Sequence, residues 1–166
     1  MSVDKQEIIS TAIKFETEGR DFYLETAKKA TNPLAREMFE SFARDEERHR
    51  EWFEQYAKEE RVTVDEPKAM FGELRKIFAE APEDLRGKAA SSEDDIKALQ
   101  FAIDSETESM GAYSRWAEQV EDGELKKLCE TLVEVEEGHR KVLQNVKNYL
   151  SSTCDWFMSE EQALLD

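Results

Sequence analysis

The sequence predicts an all-α fold, a four-helix bundle made of two repeated helical hairpins joined by a long crossover that carries a short helix. Three observations lead there. Four long stretches show apolar residues at helical spacing. Only three Pro and six Gly interrupt 166 residues, too little punctuation for many short strands. Finally, residues 12–50 align without a gap on residues 102–140, with 12 of 39 positions identical.

Helix 1 is expected over about 4–30 and ends at the Asn32-Pro33 break, since proline disfavours helix at the residue before it. Helix 2 follows over 33–60. Pro67, Pro82 and Gly87 mark a crossover at 61–91. Within it, Met70, Phe71, Leu74, Ile77 and Phe78 read as a short amphipathic helix laid on the bundle. Helix 3 is expected over 92–121, with Ser91 or Ser92 as N-cap and Asp94 and Asp95 favourable in its first turn. Helix 4 follows the Asp122-Gly123 break and runs over 122–151. Each helix would be roughly 40 Å long at about 1.5 Å per residue. The bundle domain is thus 1–150. A tail over 151–166, with Trp156, Phe157, Met158, Leu164 and Leu165, is apolar enough to dock rather than stay solvated.

Composition excludes several function classes. The net charge of −16 opposes nucleic acid and anionic membrane surfaces as partners. Two Cys cannot make a zinc ribbon, a rubredoxin-type site or a disulfide framework, and their use suits a reducing cytoplasm. No run approaches 18 apolar residues, and the first 14 residues carry Asp4 and Glu7 without an apolar signal core, so a cytoplasmic protein is expected.

The inward stripes carry the chemistry. Helix 1 reads Ile9, Ala12, Glu16, Gly19, Tyr23, Ala27, and helix 3 reads Leu99, Ala102, Glu106, Ser109, Tyr113, Ala117. Helix 2 reads Ala35, Phe39, Phe42, Glu46, His49, Phe53, Tyr56. Helix 4 reads Leu125, Cys129, Leu132, Glu136, His139, Leu143, Val146, Leu150. Each stripe holds a Glu near its middle, and helices 2 and 4 add a His three residues later on the same face.

Four buried carboxylates without partners are very costly, and no Lys or Arg stands on these stripes. Two divalent metals would neutralise them. Glu46 and Glu136 can each bridge both ions, Glu16 with His49 can complete one, and Glu106 with His139 the other. One position per metal then stays open for reaction. Mixed oxygen and imidazole donors suit Fe or Mn, with two coupled Fe ions the better match to oxidant chemistry. Glu is about one residue in six, so chance supplies these four spacings on the order of once in 10³. A long-crossover bundle with such a centre is the ferritin-like arrangement.

The motifs Ala12-Ile-Lys-Phe-Glu16 with Phe22-Tyr23, and Glu46-Glu-Arg-His49, recur as Ala102-Ile-Asp-Ser-Glu106 with Tyr113, and Glu136-Glu-Gly-His139. They resemble the ferritin-like di-iron-carboxylate proteins, most closely the rubrerythrin-like branch, over roughly residues 4–150. The resemblance implies six metal ligands, Glu16, Glu46, His49, Glu106, Glu136 and His139, around two Fe ions. It also suggests that Tyr23 and Tyr113 hydrogen-bond to ligand carboxylates. Two positions depart from the family pattern. The Cys pairs of a rubredoxin module are lacking, so electrons would come from an external donor. Ser109 stands where rubrerythrins tend to carry an additional Glu.

The expected function is therefore a cytoplasmic non-haem di-iron oxidoreductase that reduces hydrogen peroxide, or dioxygen, as a homodimer. Iron oxidation and storage is a second reading, and a metal-stabilised interaction module without redox chemistry a third. Of the remaining residues, Glu18, Glu108, Glu47 and Glu137 read as surface or hairpin-interface charges. Arg50 and Arg140 read as partners of nearby acids, Trp116 as packing, and Cys129 as a small buried apolar side chain.

Overall fold

The computed structural model describes residues 4–64 and 93–151. These form helices α1 (Lys5–Lys29), α2 (Pro33–Ala57), α3 (Glu93–Gln119) and α4 (Gly123–Ser151). Among the described residues there is no strand. The amphipathic stretch at 70–78, the caps Ser91 and Ser92, and the apolar tail lie outside the described residues, as does most of the crossover. Its first part, 61–64, is described, and Val62 and Val64 pack against the core.

Local chemistry sets the helix ends. Asp4 caps α1 by accepting from the Gln6 N–H at 3.0 Å. Asn32 caps α2 through the N–H groups of Leu34 and Ala35, with Pro33 at the first helical position. Its repeat mate Asp122 caps α4 through Glu124 and Leu125 at 3.1 and 3.0 Å. That backbone bond from Leu125, with Lys5 at 2.9 Å, holds the Asp122 carboxyl down at about 2.

Helix α2 stops three residues short of the expected 60. Glu59 takes a left-handed backbone conformation, φ 57°, and its N–H bonds to the Tyr56 carbonyl at 3.1 Å. The Glu60 N–H reaches back to the Gln55 carbonyl at 2.9 Å, completing a Schellman closure with Glu in the place usual for Gly. Residues 4, 30, 120, 121 and 122 likewise fall outside helices, as ends that differ from the expected bounds by a residue or two.

α1 packs along α2, and α3 along α4, as two antiparallel hairpins. The hairpins meet with α1 beside α3 and α2 beside α4. The core divides into two apolar halves. One gathers Ile8, Ile9, Phe53, Tyr56, Leu125 and Leu132, and the other Phe39, Phe42, Leu99, Leu143 and Val146. Between them lies a layer of buried polar side chains. Cys129 is wholly buried in the first half, and burial pushes its thiol up to about 12. Trp116 stacks on Phe15 with ring centres 6.0 Å apart. No described helix is long and apolar enough to cross a membrane.

Outside the core, Glu47 joins α1 and α2. It accepts from Arg50 at 2.7 and 3.0 Å and from Arg20 at 2.7 Å. Arg50, then Arg20, bring its carboxyl down to about 2. Arg140 grips Glu137 at 2.7 and 2.9 Å in the second hairpin.

Candidate metal centre

The polar layer contains Glu16, Glu46, His49, Glu106, Glu136 and His139, each no more than 5% exposed. Their stripes bring them together because each Glu lies at mid-helix and each His follows its Glu by nearly one turn. The imidazoles lie side by side, ring centres 5.9 Å apart. Both present Nδ1 to the carboxylates. His49 Nδ1 is 3.2 Å from Glu16, 3.4 Å from Glu136 and 3.7 Å from Glu46. His139 Nδ1 is 3.1 Å from Glu136, 3.5 Å from Glu46 and 3.6 Å from Glu106.

Two overlapping donor sets result, Glu16–Glu46–His49–Glu136 and Glu46–Glu106–Glu136–His139. Glu46 and Glu136 belong to both. Each turns one oxygen towards one His and the other oxygen towards the second. Glu16 belongs to the His49 set alone, and Glu106 to the His139 set alone.

The donors fit divalent cations. Two donors about 2.1 Å from an ion and at right angles around it stand about 3 Å apart. The spacings here, 3.1–3.7 Å, are close to that figure. Glu46 Oε1 and Glu136 Oε1 are buried with no hydrogen-bond partner among the described residues. Such orphaned acceptors are costly unless a cation meets them.

Electrostatics show the same need. Burial, then Glu136 and the other acids, pushes Glu46 well above the usual carboxyl range. Burial and the Glu136 charge push Glu106 up to about 8. Burial alone would raise Glu136, but His49 and His139 hold it low. The imidazoles are pulled upward despite burial, His49 chiefly by Glu136 and Glu16, and His139 by Asp45 and the nearby Glu106, Glu136 and Glu46. Without metal, protons take the part of the missing positive charge.

The tyrosines act crosswise. Tyr23 on α1 donates its hydroxyl proton to Glu106 on α3, and Tyr113 on α3 donates to Glu16 on α1. Each hairpin thus orients a buried carboxylate of the other. Tyr113→Phe, and likewise Tyr23→Phe, is expected to weaken metal binding about 10–100-fold without unfolding the chain. Competition with a coloured chelator measures this; unchanged affinity would leave the tyrosines as packing alone.

A cleft of about 350 Å³ runs between α1 and α3 to Glu46 and Glu106. Phe15, Phe22 and Phe101 form aromatic walls, with Glu18 and Glu108 also lining it. Gly19 and its repeat mate Ser109 keep this face open. A Cβ at Gly19 would stand 3.3 Å from Glu46 Oε2 and crowd the shared carboxylate. Phe101, 57% exposed, packs on Phe22 with ring centres 4.8 Å apart.

One buried residue beside the cluster escaped the sequence reading. Asp45 accepts from Arg48 and lies 3.1 Å from His139 Nε2. A signal for it exists: Met38, Phe42, Asp45, His49, Trp52 and Tyr56 follow the 4-3-4-3-4 spacing of a buried stripe.

The family model for rubrerythrin matches residues 7–147, most of the chain. The chain belongs to the rubrerythrin family. Searches of curated proteins and of solved structures return no match. Rubrerythrins hold a di-iron centre, and the buried carboxylate and histidine groups of this rubrerythrin-family chain could hold metal.

Proposed function

We propose that the protein is a non-haem di-iron oxidoreductase that reduces hydrogen peroxide with electrons from an external donor. The observation that carries this reading is the pair of donor sets sharing Glu46 and Glu136, reached by a cleft from the surface. Glu16, Glu46, His49, Glu106, Glu136 and His139 are the ligands in this reading. A bound iron pair supplies the two electrons that O–O cleavage requires.

The chain's own residues supply position and access. Glu46 and Glu136, which belong to both donor sets, would hold the two cations. Tyr23 and Tyr113 keep the terminal carboxylates aimed inward. The aromatic walls of the cleft limit bulk water yet pass a small neutral oxidant. Family membership favours peroxide over dioxygen. The donor is placed outside the bundle, whose described residues include one Cys, the buried Cys129.

Anaerobic loading with two Fe(II) per chain, then stopped-flow mixing with peroxide or dioxygen, tests the proposal. Peroxide is expected to oxidise the pair faster. Faster oxidation by dioxygen would point instead to iron oxidation for storage. No reaction with either would leave a metal-stabilised interaction module.

A further inference from the structure

The two halves of the repeat differ behind the two histidines. Asp45 is 1% exposed on α2. Its Oδ2 lies 3.1 Å from His139 Nε2, and its Oδ1 accepts from Arg48 Nη2. The offset of 90 puts Val135 and Gly138 at the corresponding places on α4. Neither offers a side-chain acceptor. In keeping with that, His49 Nε2 is buried and has no hydrogen-bond partner among the described residues. The inner nitrogens of both rings face nearly equivalent sets of carboxylates, so the asymmetry is confined to the outer nitrogens.

We propose that Asp45 is a positioning residue that makes the two metal positions unequal, the Glu106–His139 position holding its cation more tightly than the Glu16–His49 position. This rests on the two-metal reading above. A carboxylate that accepts from one ring nitrogen fixes the tautomer, leaves the other nitrogen's lone pair aimed at the metal, and makes it a stronger donor. His139 has that support. When His49 binds a cation through Nδ1, its Nε2 must carry a proton with no acceptor, which costs free energy. Arg48 offsets the buried charge of Asp45 on one oxygen and leaves the other for His139. Groups of this kind change metal affinity about 10–100-fold.

The test uses the full chain, stripped of metal and titrated anaerobically with Co(II) alone, followed by calorimetry and visible absorption. His49→Gln is expected to keep the tighter binding step, and His139→Gln to lose it. Asp45→Asn keeps shape but not charge; it is expected to weaken the tighter step about 10–100-fold and alter the spectrum of the first-bound ion. The weaker step should not move. Two histidine variants that titrate alike would overturn the inference, as would an Asp45→Asn variant that weakens both steps equally. Should Asp45→Asn fail to fold, the histidine pair decides alone. If the unaltered chain binds no Co(II), the two-metal reading falls as well, whereas two ions with interchangeable histidines sink only the inequality.

Discussion

Replacing both shared carboxylates, Glu46→Ala with Glu136→Ala, is expected to abolish binding of two irons per chain and the heat resistance that metal confers. Both residues serve both donor sets, so their loss disables the two positions together. Free metal at a thousand times its dissociation constant adds about 4 kcal/mol per site. For a domain of this size each kcal/mol raises Tm by roughly 2–4 °C, so loading the unaltered chain should raise Tm by about 10 °C or more. The double variant should show no such rise. Its metal-free form should nonetheless stay close to the unaltered chain. Truncation leaves a cavity, but it also removes two carboxylates whose Oε1 atoms lack partners. Calorimetry and elemental analysis measure both effects. Retention of two irons by the double variant would rule out the bridging roles.

Metal-free protein is expected to lose stability steadily as pH rises from about 6 to 9. Glu106 is raised to about 8, so above the ordinary carboxyl range the folded chain holds a proton that the unfolded chain has released. Glu46 is raised also, by burial and neighbouring acids. His49 and His139 are raised despite burial, so the stability they contribute is full below about 6.5 and lost as pH climbs through their folded values. All four have the same sign. Each excess proton in the folded state steepens the fall by about 1.4 kcal/mol per pH unit. Glu136 is shifted the other way, but it titrates far below this window, as do Glu47 and Asp122 at about 2. Metal replaces the protons, so the loaded chain should show a flat or rising profile. Calorimetry from pH 6 to 9, with chelator and with two equivalents of Mn(II), checks the sign. A flat metal-free profile would show that the cluster does not store protons.

Most of the fold was legible because four stripes of apolar residues keep one period for about five to seven turns. The repeat then set how the hairpins correspond, while the capping roles of Asn32 and Asp122 emerge only from the structure. The end of α2 was not legible. Glu59 adopts a left-handed conformation that only Gly or Asn would have advertised. The stripes that carry the buried Glu and His cluster could be read because a Glu among Phe, Ala and Leu is conspicuous. Asp45 was missed although it keeps the buried spacing of α2, since it sits in an acid-rich stretch and its partner His139 is 94 residues away. The tyrosine pairing shows a different limit. Seven residues along one helix span about 10 Å, so Tyr23 cannot reach its own helix's Glu16 with a hydrogen bond. Spacing put both on one face, but only packing determined that Tyr23 meets Glu106 and Tyr113 meets Glu16.

The crossed tyrosines bear on descent. Neither hairpin holds a finished site, since each orients a carboxylate on the other. Two identical copies of one hairpin, paired about a true two-fold axis, would satisfy the same exchange. The joined chain is thus what duplication and fusion of a self-pairing hairpin would leave behind. Such a symmetric ancestor could carry Asp45 and Arg48 on both sides or on neither. A carboxylate behind one histidine, with Val135 and Gly138 behind the other, requires two separately encoded halves that can mutate independently.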